Sequence, residues 1–371
     1  MRYHIALSRP FDFAEINRKV QLGESPNHTM WELSQKMNAT IHHPVHQSIT
    51  AFDKLAARIV GQPEHWALAR RLLGQLNEDD LVLCTGEDIG LPIALLFKLT
   101  GMQSKLIIFA VAPHRTRFQW LSRFFNLKSQ VDLFTTDTTF KVDALLQGLN
   151  LPAHQVALLP TPTDVNFFKP GAAAPKSRPV IASGGLEQRD YQTLAIATQN
   201  LDADVKICAV SPNASNKTKV TFPTVMPANM TSRHYPWADF LQLYRDADVV
   251  VISLLQNHYS AGLTTLVEAL ACRRPVVMTR TPGLGETLIN MGVAIGVEPG
   301  DAAGMEKAIA HLLADPEVAA AQAQRGYDLV QQKYTSEHYV QNFATLFQKL
   351  SRKGVVLEPQ GVTGEMMVEQ A

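Results

Sequence analysis

Charge of one sign, closely spaced cysteines and long apolar runs are all missing from this sequence. The 34 Lys and Arg balance 34 Asp and Glu, so the net charge gives no argument for nucleic acid as a partner. Three cysteines, at positions 84, 208 and 272, share no metal-binding or redox spacing, which fits a reducing compartment. No apolar run approaches the ~18 residues that cross a bilayer. Met1–Ser8 reads as a first strand, too short for a signal peptide. A cytoplasmic protein is therefore expected. Gly283-x-Gly285 lacks the third glycine of a dinucleotide fingerprint and follows a late strand, so NAD is not expected.

What is present is a regular alternation of strand and helix signals. A length of 371 residues suits two domains, each large enough for its own core. In the first half, strands are predicted at His4–Ser8, Ala39–His43, Leu81–Cys84, Lys105–Ala110 and Val131–Thr135. Helices are predicted between them at His28–Met37, Ile49–Val60, Trp66–Gln75, Gly90–Leu99 and Phe118–Leu127. This order predicts an α/β fold with a doubly wound parallel sheet, whose ligands sit beyond the carboxyl ends of the strands. One loop in that position, Thr85–Gly90, carries Glu87 and Asp88. These are candidates to bind a hydroxylated acceptor; a plain capped turn is the other reading.

The chain is organised around His258–Thr279. The β-branched run Val249–Leu255 before it predicts a buried parallel strand. After Gly262, Leu263, Leu266, Val267 and Leu270 recur at helical spacing, and Pro275 ends the helix before Val276–Met278 starts another strand. The helix N-terminus presents backbone N–H groups and partial positive charge, which suits a phosphate. Glu268 lies one turn beyond Thr264 at i, i+4. It is expected to take two ribose hydroxyls while the amides of Gly262, Leu263 and Thr264 hold a diphosphate. A solvated helix glutamate is the bland alternative.

Glu268-Ala-Leu-Ala-Cys-Arg-Arg-Pro275-Val276 resembles the nucleotide-sugar site of the retaining glycosyltransferases of family 4 (group 1). That resemblance implies the GT-B fold, two Rossmann-like domains facing each other across a cleft. It also implies transfer of a sugar from a UDP- or GDP-sugar to a glycan or lipid-linked hydroxyl, with retention and no further cofactor. Ser260 stands where the family has a first glutamate, and Arg274 where it has a glycine before the proline. Pro160–Pro170 resembles the family's interdomain phrase through Asp164, Phe167 or Phe168, and Pro170. Domains are therefore expected at 1–165, on the acceptor side, and 175–335, on the donor side. A helix over 336–350 returns to the first domain and a mobile tail follows over 353–371.

Further site residues follow from the same resemblance. The family's Gly-Arg-Leu reads Gly184-Gly185-Leu186 here, leaving Arg189 to grip the diphosphate. His114, after a first-domain strand, is the candidate to line the cleft beside the transferred sugar. Gly23 stands in the first loop, where Ser25 or Asn27 is expected to cap the next helix, and Tyr235 is the candidate in the loop before Phe240–Asp248, which in the family holds the base through backbone groups. Asp202-x-Asp204 and Asp246-x-Asp248 lie beside no donor loop, so no metal site is expected. The segment 114–128 carries a surplus stripe, Trp120, Phe124 and Leu127, among arginines. A peripheral contact with anionic lipid is one reading of that stripe, and packing under a neighbouring helix or the other domain is the other. A catalytically lapsed GT-B binding protein and a GT-B epimerase are the rival readings of the whole chain.

Overall fold

The computed structural model describes residues 1–45, 48–209, 219–257, 260–282 and 284–351. Most of the loop expected at 212–219, the first two residues of the 258–279 stretch, Gly283 and the 353–371 tail lie outside these residues. The chain forms two compact units. The first takes Met1–Glu15, His28–Pro160 and the described residues from Tyr339 on; the second takes Ile16–Asn27 and Thr161–His338.

The first sheet uses β1 (Tyr3–Ala6), β2 (Thr40–His42), β3 (Leu81–Cys84), β4 (Lys105–Phe109), β5 (Leu133–Thr136) and β6 (Val156–Leu158). Its strands are all parallel in the order β2-β1-β3-β4-β5-β6. The helices along this part of the chain are α1 (Phe13–Gln21), α2 (Thr29–Met37), α3 (Ala51–Ala56), α4 (Pro63–Leu73), α5 (Glu87–Thr100), α6 (Thr116–Phe124) and α7 (Thr139–Leu149). Apolar strand residues such as Val82, Leu106, Ile108 and Phe134 are fully buried under these helices, as a parallel sheet covered on both faces requires.

Three local expectations are corrected. His28, not Ser25 or Asn27, caps α2: its Nδ1 accepts from the Met30 amide at 3.2 Å. Asn27 is turned elsewhere, its amide donating to Asp164 Oδ2 at 2.8 Å. Second, α3 is much shorter than Ile49–Val60. A Thr50–Asp53 capping box sets its start, and turns follow Ala56. Third, α5 begins at Glu87 rather than Gly90, because the acidic pair Glu87 and Asp88 forms its first turn on the Gly86 cap.

The second sheet uses β7 (Val180–Gly184), β9 (Asp204–Cys208), β11 (Met230–Arg233), β12 (Val249–Ile252), β13 (Val276–Thr279) and β14 (Ile295–Val297). All are parallel, in the order β11-β9-β7-β12-β13-β14. A small ladder joins β8 (Arg189–Asp190) to β10 (Val220–Thr221). The helices are α8 (Tyr191–Thr198), α9 (Trp237–Asp246), α10 (Leu263–Ala271), α11 (Leu284–Asn290), α12 (Ala302–Ala314) and α13 (Pro316–Lys333). The last helix, α14 (Ser336–Ser351), joins the first unit, where Phe347 stacks on Tyr3 at 5.3 Å and Ser351 meets the Tyr3 hydroxyl at 3.1 Å. In the second sheet the direction of winding reverses between β7 and β12. Loops leaving that crevice are where an open α/β sheet binds ligands.

α10 ends in a left-handed turn. The Arg273 amide reaches Leu270 O at 2.9 Å and the Arg274 amide reaches Ala269 O at 3.1 Å, with Arg273 at φ 55°. The position that favours glycine is therefore Arg273, not Arg274 as its place before Pro275 implied. Arg273→Gly is expected to raise unfolding free energy by about 1 kcal/mol, measured by urea denaturation. Arg274→Gly is expected to lower it, since Arg274 Nη1 donates to Ala247 O at 3.2 Å.

Candidate functional site

The crevice between β7 and β12 gathers four chain segments of the second unit. β7 ends in Gly184, and Gly185 turns at φ 92°. A side chain at 185 would meet Arg189 Nη2 at 2.5 Å, so the arginine expected in this phrase has no room: Arg189 fills the space. The Tyr191 hydroxyl pins the turn by donating to Gly185 O at 2.5 Å. β8 is clamped to the end of β12 by the Asp190 amide to Ser253 O, 3.0 Å, and by Ser253 Oγ to Asp190 O, 2.6 Å.

Arg189 is only 3% exposed. Its Nε donates to Gly184 O at 2.7 Å, Nη1 to Glu187 O at 2.9 Å, and Nη2 to Thr265 Oγ1 at 2.9 Å. Three of the five guanidinium hydrogens thus hold the loop, leaving two and the full charge. The guanidinium fixes the crevice first and is not held out as an open fork.

α10 starts at Gly262, whose φ of 86° and close approach to Ile252 exclude a side chain there. Among the described residues no side chain caps this helix, and the amides of Thr264 and Thr265 find no acceptor. The amide of Leu263 bonds to Ser260 O at 3.3 Å. Of the expected trio, Thr264 carries an unspent amide and Leu263 does not; the unspent amide of Thr265 joins that of Thr264.

Glu268 is buried, at 6% exposure, while Thr264 is exposed. The two do not share a face. Glu268 shares one with Thr265, at i, i+3, and accepts from the Tyr244 hydroxyl at 3.0 Å. Burial raises its carboxyl to about 8, against which the Tyr244 bond and the Arg189 charge pull down. At neutral pH this carboxyl is thus mainly protonated, able to donate as well as accept. Thr265 and Tyr244 were not singled out in the sequence as site residues. Tyr244 had a signal in Phe240–Asp248, the stretch just before the strand, which resembles the family's Leu-x-x-x-Tyr-x-x-Ala-Asp; Thr265 had none beyond its helical phase.

The remaining candidates are scattered. Tyr235 is buried, with the Arg233 guanidinium 4.2 Å above its ring. Gly23 is exposed in the turn closing α1 and falls within the second unit, as does Ser260. In the first unit, Glu87 accepts from the amides of Val111 and Ala112 at 2.7 and 3.0 Å, which fixes the loop leading to His114. His114 is half-buried, its ring 6.0 Å from Phe140. Asp88 accepts from Ser8 Oγ at 2.5 Å, and His65 Nε2 lies 3.6 Å from its other oxygen. Ser8 and Asp88 follow β1 and β3, where the first sheet reverses its winding. Among the paired aspartates, Asp202 and Asp204 flank Arg178, and Asp248 takes Lys176.

Comparison with known proteins bears on this arrangement. Residues 180–315 match the family model described as "Glycosyl transferases group 1". A glycogen synthase of Mycobacterium tuberculosis is 33% identical over 121 residues, covering 33% of this chain and 28% of that protein. Sucrose-phosphate synthase from Thermosynechococcus elongatus superposes with a TM-score of 0.70 at 15% identity, over 94% of this chain and 99% of that one. HepE from Anabaena, in complex with UDP-glucose, gives 0.65 at 13% identity, over 94% and 100%. The fold is GT-B. Two parallel-sheet units are what GT-B requires, and the matched stretch 180–315 holds Arg189, Gly262 and Glu268. Among the described residues, no helix of this GT-B chain is long and apolar enough to cross a membrane.

Proposed function

We propose that this protein is a retaining glycosyltransferase of the family 4 type, moving a sugar from a nucleotide-diphosphate sugar to an acceptor hydroxyl. The observation that carries this reading is the meeting of the Arg189 charge with the unspent amides of Thr264 and Thr265 at a sheet crevice. That combination suits a diphosphate, whose negative charge grows as it leaves. Gly184 and Gly185 leave the room that Phe240 and the Arg189 guanidinium occupy beside the crevice. Glu268, held by Tyr244, meets the ribose edge as a neutral acid, donating to one hydroxyl oxygen and accepting from the other. Tyr235 belongs to the base side, and Ser260 to the sugar end in place of a glutamate. Donor binding is assigned to the second unit and acceptor binding to the first, where Ser8 and Asp88 stand at the sheet reversal. His114 or a donor phosphate oxygen takes or orients the hydroxyl proton. UDP- or GDP-hexoses are the proposed donors, with no metal and no further cofactor.

The test is calorimetric titration with UDP, GDP and their hexose conjugates, followed by anomeric analysis of any transfer product. A nucleotide diphosphate bound in the micromolar range and a product of retained configuration are expected. No binding at millimolar concentration would sink the proposal. One observation favours a second reading, a lapsed enzyme that only binds: Arg189 is already tied to three protein acceptors. Slow release of free sugar from the donor without acceptor would count against it.

A further inference from the structure

We infer that the first unit docks on an anionic phospholipid surface through the face built by α6 and the turns after α3. This goes beyond the proposed reaction and does not depend on it. α6 buries Phe118 and Leu121 in the core, and Leu127 just beyond it is buried too. Leu127 thus leaves the second stripe expected from the sequence, and what remains is a pair. Trp120 and Phe124 are 57% and 66% exposed, stacked on each other at 5.1 Å with 13° between their planes. Aromatic rings of this size are seldom left in water without a use.

The patch extends to α3. Arg117 donates to Arg58 O at 2.6 Å and to Ile59 O at 2.5 Å, tying the first turn of α6 to the turns after α3. Leu55 on α3 is 63% exposed, and Ile59 in the turns after it 39%. The carboxylate of α3 itself, Asp53, is buried against Arg70 at 2.6 Å and adds no negative charge to the face.

Charge decides the occupant. The whole chain is neutral, yet residues 89–131 carry six Lys or Arg and no Asp or Glu. Arg115 and Arg123 are exposed beside the aromatic pair, and Lys98 holds Phe125 O at 2.5 Å from α5. Exposed aromatics beside the exposed Arg115 and Arg123 match the interface of an anionic bilayer. There the rings sit at the headgroup boundary and each cation near the surface adds to binding. Of the six, Lys105 is paired with Asp132 at 2.7 Å, but an apolar protein partner would not call for Arg115 and Arg123 beside the rings.

The experiment is co-sedimentation of the full chain with vesicles of phosphatidylglycerol and phosphatidylcholine, against vesicles of phosphatidylcholine alone. Binding to the anionic vesicles is expected, weakened at least tenfold by Trp120→Ser with Phe124→Ser. Arg115→Ser with Arg123→Ser is expected to cost about tenfold or more and to flatten the salt dependence. A milder variant guards against misfolding. Trp120→Phe keeps the binding but abolishes the fluorescence quenching by brominated lipid seen in the parent. Three results would each overturn the proposal: no binding to anionic vesicles at low salt, equal binding by the double aromatic variant, or quenching unchanged in Trp120→Phe. A parent that is dimeric until Trp120 and Phe124 are replaced, and indifferent to lipid, would overturn it in favour of a second copy. Nucleotide titration of the same variants stays at the parent value, so loss of lipid binding and loss of donor binding are read separately.

Discussion

Replacing Arg189 by alanine is expected to weaken nucleotide-diphosphate binding sharply and to cost unfolding free energy as well. Gly184 O, Glu187 O and Thr265 Oγ1 all lose their donor. A buried acceptor left unpaired costs roughly 1–3 kcal/mol. Partial relaxation of the loop should bring the total loss to about 2–4 kcal/mol. For a diphosphate, losing the cation should raise the dissociation constant about 100-fold, equivalent to ~3 kcal/mol. Urea denaturation reads the first quantity and calorimetric titration with UDP or GDP the second. Arg189→Lys separates them. It keeps the charge but cannot serve three acceptors with a planar fork, so stability falls while part of the affinity survives. Parent-like affinity in Arg189→Ala would place the anion elsewhere in the molecule.

Glu268→Gln is expected to change how stability depends on pH more than its value at any single pH. The folded state holds this carboxyl near 8, above the 4.5 of an exposed glutamate. Its contribution is therefore complete below pH 4.5 and lost as pH rises through 8. The sign follows because the folded state binds the extra proton. Between pH 5 and 8 the parent should lose on the order of 3 kcal/mol from this group, and Glu268→Gln should lose that slope. His28 and His42 act with the opposite sign lower down, since burial pushes both to about 4 and favours folding as pH rises toward 6.5. The clean window for Glu268 is thus pH 6.5–8, read by urea denaturation. A parent curve flat across that window would show that Glu268 is ionised in its crevice.

Alternation of short apolar runs with helical stripes made the two parallel sheets legible, because strands buried on both faces leave little freedom in composition. Val249–Ile252 and Leu81–Cys84 are examples. Not every helix was legible: α1 and α7 have no counterpart among the predicted helices, and α1 buries only Phe13. In the candidate site, Glu268 and Arg189 were singled out from the sequence, but the side chains they bond to were not. Helical periodicity alone set Glu268 with Thr264, an i, i+4 neighbour. The packing of α10 turned it instead toward Thr265 and the phenol of Tyr244. Gly185 read as a missing arginine; in the structure it is the space the Arg189 guanidinium needs. The second aromatic stripe was half right, since nothing in its spacing told buried Leu127 from exposed Phe124.

The stacking of Phe347 on Tyr3 bears on how the molecule is made. The strand that pairs with both β2 and β3 leaves the ribosome before either of them, while the helix that covers Tyr3 emerges more than 300 residues after it. Until then the early unit has an open apolar flank. The second unit, which also borrows residues 16–27 from the start of the chain, is synthesised in that interval. Nascent chains stalled before residue 336 should therefore be clients of holdase chaperones, and release of α14 should end that dependence.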